Sequence, residues 1–500
     1  MRPVRPALRT EPSSSLREVD LEALIRALGP REVTGARPVV IGDLAYDTRK
    51  VSAGALFFCV PGERVDGHDL AWEAIERGAA ALVVERALDV DIPQLVVEDV
   101  RASMAVGADT FFGEPSRDLE LAGVTGTNGK TTTSFLLHSM LEAAGRRPGL
   151  VGTVRWIVGG EQRAAPFTTP EAIELHRVFR EMVDASDRSA AIEASSHGSA
   201  FRRLDRVRLD ALVFTNLSQD HLDLHGTMEE YFQAKRRLFT GLRPPPAAVN
   251  IGDEWGQRLA AELTAAHRAP LVTFALEQGA ELWPKGLELS GGGSRFEAGG
   301  IEIETPLRGI FNVANVLGAV AAGLLLDLDE DSIQKGVAGV SQVPGRFEAI
   351  DAGQPFAAVV DYAHTPDSLE TALRAARDLG EGRVIVVFGA GGDRDRGKRP
   401  LMGKVAAEHA DVAIVTSDNP RSEDPLAIIQ DVLQGAGMDV EIDPDRRSAI
   451  RRAVSLAGPG DIVVVAGKGH EQGQEIAGDV QPFDDRVVVR EALAELRTTG

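Results

Sequence analysis

The chain has 500 residues, 43% hydrophobic and only 5% aromatic, with a formal net charge of -21. At roughly 100–200 residues per domain, this length favours two to four domains with cores built mainly from aliphatic side chains. The acidic balance excludes a nonspecific nucleic-acid or anionic-membrane binder, since phosphates would be repelled unless a local basic site dominates. It fits a soluble cytoplasmic enzyme.

Residues 1–15, "MRPVRPALRTEPSSS", are positive but lack the apolar stretch of a signal peptide, and are expected to form a flexible tail. No run approaches the ~20 apolar residues of a membrane helix. From Arg31 to Val60, short β-rich runs alternate with Gly and polar turns. They include Cys59, the only cysteine, whose apolar setting "ALFFCV" reads as a buried core thiol rather than a nucleophile. A helix is expected in "DLAWEAIERGAA", then strands in "ALVVE" and "QLVVE". The segment "FFGEPSRD" (111–118) combines Gly, Pro and Ser and reads as a linker closing a small α/β module.

From Leu119 the pattern becomes strand, loop, helix. "LELAGVTG" predicts a strand and "KTTTSFLLHSMLEAAG" a helix closed by Gly145. Further strands are expected at "SAAIEAS", "LDALVFTN" and "AAVNI", with helical segments between them. Such alternation implies a largely parallel sheet covered on both faces. A β-rich stretch at about 270–308 precedes the helix "NVANVLGAVAAGLLL", and a second break falls at "SQVPGRFE" (341–348).

The final third repeats the α/β pattern. "FAAVVDYA", "RVIVVFGA", "DVAIVTS" and "DIVVVAG" are apolar strands that each run into a polar or Gly-rich loop. In open α/β sheets ligands bind at these carboxyl ends. The informative loops are therefore "DYAHTPD", "GAGGDRDRGKR", "SDNPRSED" and "GKGHEQ".

"GVTGTNGKTTTS" (123–134) follows one strand and opens a helix, the context a phosphate cradle needs. Lys130 can reach the β/γ-phosphates of a nucleotide and Thr131 can ligand Mg²⁺. The common pattern would place Gly at 124, where this chain has Val124, so the loop is a variant. "GAGGDR" (389–394) fails as a dinucleotide fingerprint, because its third glycine would fall on Arg394.

"GTNGKTTT", "EASSHG", "TNLSQDHLDLHG", "YFQAKRRLF", "DYAHTPDSLE", "GGDRDRGKRPLM", "DNPR" and "GKGHE", in that order, resemble the Mur ligase family from about residue 46 to 486. The resemblance implies three α/β domains: a small N-terminal one at 16–117 for the UDP end of the substrate, a central P-loop-type one at 118–343 for ATP, with a mostly parallel sheet and helices on both faces, and a C-terminal Rossmann-like one at 344–500 for the incoming amino acid. The implied reaction phosphorylates the D-glutamate γ-carboxylate of UDP-N-acetylmuramoyl-L-Ala-D-Glu with ATP. An amine then displaces phosphate to form an amide. A carboxylate is a poor acyl donor, so phosphorylation supplies the leaving group and Mg²⁺ offsets the crowded negative charge. A cytoplasmic monomer is expected.

Residue roles follow from the same resemblance. Gly126, Thr127, Asn128, Gly129, Lys130, Thr131 and Thr132 would cradle ATP, with Asn312, Asn315, Arg346, Asp361 and His364 near the nucleotide. Glu193 and Thr131 would hold Mg²⁺, and His221 a second Mg²⁺. By composition Lys235 reads as one charge on an amphipathic helix. The family carbamoylates this lysine with CO2, which turns a cation into a carboxylate-like anion beside the metal. Tyr46, Thr48, Glu63, Arg64 and Val65 match uridine-side contacts, and Thr168, Thr169, Ser195 and Arg203 match contacts to the substrate peptide. Phe201 stands where some members carry a polar residue. Arg394, Asp418, Asn419, Pro420, Arg421, Gly467 and Glu471 match the amino-acid site.

That amino acid is implied to be meso-2,6-diaminopimelate. It carries a second head group, and an arginine fork suits the extra carboxylate. Members that add lysine tend to lack the arginine of "DNPR". Left alone, Arg421 reads as a surface arginine paired with Glu423 or Asp424. The alternatives are a lysine-adding ligase, a folylpolyglutamate synthase, a P-loop motor or switch protein, and a non-catalytic scaffold. Arg421 speaks against the first, and the N-terminal module with "YDTR" and "PGERVDG" against the second. No partner-coupling segment favours the third. Retention of Lys130, Glu193 and His221 speaks against the fourth.

Overall fold

The computed structural model describes residues 18–62, 65–437 and 440–499. The expected tail at 1–15 and the pair Glu63 and Arg64 lie outside them. The chain divides into two compact units, one made of residues up to Arg117 with Pro170–Arg180 and Phe201–Val207, the other of the remainder. Among the described residues no helix is long and apolar enough to cross a membrane.

The first unit is built on a five-stranded sheet in the order Glu32–Thr34, Gln94–Val96, Ala79–Val84, Ala55–Phe58, Asp43–Ala45. All neighbours are parallel except the first pair. Leu56, Phe58, Ala81, Val83 and Leu95 pack one core, and Phe57, Cys59, Leu82 and Val84 a second. Cys59 is fully buried, and burial pushes its thiol up to about 12, as expected of a core residue. The helix expected at 69–80 is shorter, Ala71–Glu76. Gly78, at φ +106°, breaks it, and Ala79 already begins the next strand. A further helix, Val100–Phe111, occupies the sequence before the expected linker. Its buried face mixes Met104 and Ala108 with Gly107 and Asp109, which blurs any apolar stripe. The Asp99 carboxylate caps it by accepting from the Ala102 amide at 2.9 Å.

The second unit holds two large sheets. The first has eight strands in the order Glu161–Arg163, Trp156–Val158, Pro148–Val151, Ser189–Glu193, Glu120–Thr125, Ala211–Phe214, Ala247–Asn250, Leu271–Phe274. The last six run parallel, and a hairpin completes the edge. Their near-continuous burial is what a sheet covered on both faces requires. Helices Lys130–Ala143 and Ile310–Leu325 pack their apolar residues with this sheet in one core. Of the β-rich stretch, Leu271–Phe274 joins this sheet, and the rest forms a separate three-stranded antiparallel sheet, Lys285–Ser290, Gly293–Ala298 and Ile301–Thr305.

The other large sheet runs Glu348–Ala349, Ala357–Asp361, Ile462–Ala466, Val384–Phe388, Val412–Val415, Glu441–Ile442. The four expected apolar strands form its parallel centre. Cores on its two faces bury Val386, Phe388 and Val464 on one side and Ile385, Val387 and Val465 on the other. Because these strands are parallel, their four following loops emerge at one sheet edge.

Candidate functional site

The phosphate loop joins Glu120–Thr125 to helix Lys130–Ala143, between the ends of two neighbouring strands. The segment after Ala211–Phe214 holds it in shape. The Thr127 amide donates to the Asn216 carbonyl at 3.0 Å. The Asn128 amide donates to Asn216 Oδ1 at 2.9 Å, and the Thr215 hydroxyl to the Asn128 carbonyl at 2.6 Å. Two glycines are obligatory here. A Cβ on Gly126 would stand 1.8 Å from Thr215 Oγ1, and one on Gly129 2.2 Å from Asn315 Oδ1. Asn315 in turn donates to Asn312 Oδ1 at 3.0 Å, and Asn312 to the Arg308 carbonyl at 2.8 Å. Asn315 therefore abuts the loop, and Asn312 is linked to it through Asn315.

Lys130 bends back over the loop and donates to the carbonyls of Gly126 and Thr127 at 2.9 and 2.8 Å. Burial lowers its pKa. Lys235 donates to the same Gly126 carbonyl at 2.8 Å. The simple amphipathic reading of Lys235 is corrected: it is only 1% exposed. Helix Met228–Arg236 turns Tyr231 and Lys235, four residues apart, to one inner face. The ammonium lies 4.5 Å from the Tyr231 ring centre. Burial, reinforced by the charge of Lys130, holds Lys235 well below an ordinary lysine.

Glu193 ends its strand almost fully buried. Its carboxylate accepts from the Thr153 amide at 2.7 Å, the Thr153 hydroxyl at 2.9 Å and the Thr131 hydroxyl at 3.2 Å. Arg346 donates to that Thr131 oxygen at 2.9 Å while stacking 4.5 Å from the Tyr362 ring centre. Asp361 accepts from the Phe347 amide at 2.6 Å. His221 sits in left-handed backbone at φ +54°, its ring edge-on to His197 at 4.6 Å. Burial lowers its pKa to about 3, so it is a neutral imidazole. Asp220 beside it is held below the usual carboxylate range: burial opposes this, but His364, whose Nε2 lies 3.8 Å away, and the charge of Lys398 outweigh it.

Among the described residues no three His, Cys, Asp or Glu side chains cluster as a ready-made metal cage. The Glu193 carboxylate beside the Thr131 hydroxyl nevertheless offers oxygen donors of the kind Mg²⁺ takes when nucleotide phosphates and water complete its shell, and that pair fits the ion. The His221 imidazole is a softer donor than Mg²⁺ commonly takes.

The four strand-end loops of the last sheet line a single pocket of about 190 Å³. Tyr362 and His364 come from the first loop, Gly391, Arg394, Asp395 and Lys398 from the second, Asp418, Asn419 and Arg421 from the third, Gly467 and Glu471 from the fourth. Asp220, His221 and Asp223 form its other wall. Of the residues expected for the amino acid, only Pro420 stands outside the lining. Arg421 does not pair with Glu423 or Asp424, as its isolated reading expects. Glu423 is taken by Arg396 and the buried Arg399, whereas Arg421 donates to the Gly392 carbonyl at 2.6 Å and lies 3.5 Å from Glu475.

Sequence reasoning left several members unassigned. Lys468, fully buried, donates to Asn419 Oδ1 and Glu471 Oε2, both at 2.9 Å. Asp367 accepts from Asn128 and Ser218, both at 2.8 Å, and so ties the phosphate loop to helix Pro366–Arg377. Lys398 lines the pocket at 6% exposure. All three stand inside motifs that were already legible. Position within a strand-end loop was the available signal.

The remaining expected residues fall in separate places. Thr168, Thr169 and Ser195 surround the Glu193 strand end: the Thr169 hydroxyl donates to the Glu193 carbonyl at 2.7 Å and accepts from the Ser195 amide at 3.0 Å, and Thr168 Oγ1 lies 3.0 Å from Thr153 Oγ1. Tyr46, Thr48, Val65 and Arg203 belong to the first unit. There Tyr46 is held protonated by burial and by Glu174, Thr48 is buried, Val65 is exposed, and Arg203 pairs with Glu171 at 2.7 Å over the Phe201 ring.

This architecture and loop chemistry have a counterpart. Residues 41–114 match the model of the Mur ligase family, catalytic domain, residues 124–323 the Mur ligase middle domain, and residues 345–469 the Mur ligase, glutamate ligase domain. The chain belongs to the Mur ligase family. It is 47% identical over 477 residues to the UDP-N-acetylmuramoyl-L-alanyl-D-glutamate–2,6-diaminopimelate ligase of Geobacillus kaustophilus, covering 92% of this chain and 96% of that one. It is 46% identical over 484 residues to the enzyme of the same name from Streptomyces coelicolor, covering 93% of each. A solved structure of a ligase with that name superposes with a TM-score of 0.68 at 34% identity, over 96% of this chain and 100% of the other.

Proposed function

We propose that the chain is an ATP-dependent ligase that adds meso-2,6-diaminopimelate to UDP-N-acetylmuramoyl-L-alanyl-D-glutamate, a step in making peptidoglycan precursors. The observation that carries this reading is the pocket lined at once by Arg394 and Arg421, by Asp418, Asn419 and Glu471, and by His221. A diamino dicarboxylate offers two carboxylates and two amines. Guanidinium forks suit the former, and carboxylate and amide oxygens the latter. The names of the relatives point the same way.

In this mechanism the loop 126–132 and Lys130 hold the ATP phosphates, leaving their present internal bonds for the ligand. Asn312, Asn315, Arg346, Asp361 and His364 complete the nucleotide side. Glu193 and Thr131 would hold one Mg²⁺ and His221 a second, and the ions would supply charge neutralisation for transfer of the γ-phosphoryl to the D-glutamate carboxylate. The products of that step are an acyl phosphate and ADP. The amine of diaminopimelate then attacks the acyl carbon, inorganic phosphate leaves, and the nitrogen loses a proton. Thr168, Thr169, Ser195 and Arg203 orient the substrate peptide, while Tyr46, Thr48, Glu63, Arg64 and Val65 hold the uridine side. Lys235 acts as its carbamate, formed when the neutral amine adds to CO2 and releases a proton. We place the enzyme in the cytoplasm as a monomer, with an N-terminal domain at 16–117 for the UDP end, a central domain at 118–343 for ATP and a C-terminal domain at 344–500 for the amino acid.

The deciding experiment incubates purified protein with UDP-N-acetylmuramoyl-L-Ala-D-Glu, ATP and Mg²⁺. Phosphate release is expected to depend on added meso-diaminopimelate. Equal or faster turnover with L-lysine would refute the substrate assignment.

A further inference from the structure

The turn that presents Arg421 has one closing bond of its own, from the Glu423 amide to the Pro420 carbonyl at 3.0 Å, and is otherwise held by other segments. Arg421 lies in left-handed backbone at φ +53°, a conformation that L-residues other than Asn and Asp seldom adopt without support from their surroundings. Two elements supply that support: the 392–393 loop, through the Gly392 amide to the Asn419 carbonyl at 2.9 Å and the Ser422 amide and hydroxyl to the Asp393 carboxylate, and the hairpin of strands Gly473–Ile476 and Asp479–Pro482. Among the described residues these two strands form a two-stranded sheet of their own, and an isolated two-stranded hairpin is marginal in water. The tight connection is built by Ala477 and Gly478, both at positive φ, +52° and +86°.

The contacts between hairpin and turn are specific. The Arg421 amide donates to the Glu475 carbonyl at 3.1 Å, and the Ala477 amide to the Arg421 carbonyl at 2.7 Å. Arg421 thus adds a short parallel bridge opposite Ile476. The Gln474 side-chain amide donates to the Asp418 carbonyl at 2.7 Å from a buried position. The Glu475 amide donates to Asn419 Oδ1 at 3.0 Å, which turns the Asn419 amide nitrogen onto Glu471 at 2.8 Å. The Glu475 carboxylate stands 3.5 Å from Arg421 Nε. Hairpin residues therefore bind three of the four residues in the turn. With Nε beside Glu475 and one terminal nitrogen on the Gly392 carbonyl, the fork is held in one orientation while it lines the pocket.

We propose that the hairpin 473–482 is a specificity clamp in which Gln474 and Glu475 are positioning residues that orient Arg421 toward the distal carboxylate of the diamino acid. The proposal rests on the substrate reading above. Neither side chain contacts substrate. Both act through the turn 418–421, and a loosened turn costs affinity for the group that Arg421 receives and for little else.

The test compares wild type, Gln474→Leu, Glu475→Ala and the amide-retaining Gln474→Asn by steady-state kinetics and by hydrogen exchange. Gln474→Leu and Glu475→Ala are expected to raise the KM for meso-diaminopimelate roughly tenfold, with kcat within about threefold and the KM for ATP within about twofold. The preference over L-lysine falls, because lysine has no distal carboxylate to lose. Gln474→Asn recovers part of the loss. In Gln474→Leu, amides of 416–424 exchange faster while those of Val384–Phe388 do not. An unchanged KM with unchanged exchange overturns the clamp, and so does an equal loss for ATP. If wild type itself prefers L-lysine, the substrate reading falls, and the exchange arm alone decides the clamp: faster exchange in 416–424 sustains it, and unchanged exchange ends it.

Discussion

Lys130 and Lys235 donate to one carbonyl, that of Gly126, at 2.9 and 2.8 Å. Two cations on one acceptor, both buried, favour loss of a proton, and both pKa values are lowered. For Lys235 this supplies the neutral amine that CO2 requires. Enzyme equilibrated with ¹³C-bicarbonate is expected to show a carbamate carbon resonance that Lys235→Ala lacks. Lys235→Ala should lose activity and regain part of it with added short carboxylates. Wild-type activity in that variant would remove the carbamate from the mechanism.

The same shift fixes a pH dependence. In CO2-free enzyme the folded state binds fewer protons at Lys235 than the unfolded state does between the lowered pKa and the ordinary lysine value of about 10.4. Stability therefore rises with pH across that window and is lowest below it. Lys235→Met removes this contribution, so its urea midpoint, measured from neutral pH to about 10, is expected to rise less steeply than that of wild type.

Arg421→Ala is expected to weaken use of the amino acid by ~1.5–3 kcal/mol, the scale of a charge-assisted hydrogen bond. The KM for ATP should hardly change. Parallel titration of the two substrates distinguishes this from a general folding defect, which would penalise both.

Arg446 and Asp485 form a fully buried ion pair with bonds of 2.8 and 2.7 Å. Arg446 also donates to the carbonyl of Ala466 at 2.9 Å and lies 3.4 Å from that of Ser417, and so ties together the two strand ends that carry Gly467 and Asp418. Arg446→Ala strands a buried carboxylate, and the expected loss of stability is about 3–5 kcal/mol by urea unfolding. The Arg446→Met/Asp485→Leu double variant should recover much of it, because no lone charge remains.

Gly129 and Gly145 both have positive φ, +85° and +69°, but different surroundings. Gly145→Ala meets nothing within 4 Å, so its cost is confined to the backbone, about 1–2 kcal/mol. Gly129→Ala adds a collision with Asn315 Oδ1 at 2.2 Å. It should lower stability further and impair ATP use, which thermal melts with and without nucleotide would reveal.

The sequence by itself determined the alternation of apolar strands and helices, because burial on both faces writes a near-continuous apolar run into each parallel strand. It also placed the phosphate loop and the four informative loops, since Gly, Pro and polar clusters punctuate strand ends locally. It could not show that Lys235 is buried: one helical turn from Tyr231 is a spacing, and which face turns inward depends on what packs there. Nor could it show that Arg421 is held by the hairpin 473–482, some fifty residues further along the chain, or that Lys468 already occupies the acidic side of the pocket. Those are contacts between segments distant in sequence. They exist only once parallel strands bring their carboxyl ends to one edge, and a local pattern carries no record of which loops will face one another there.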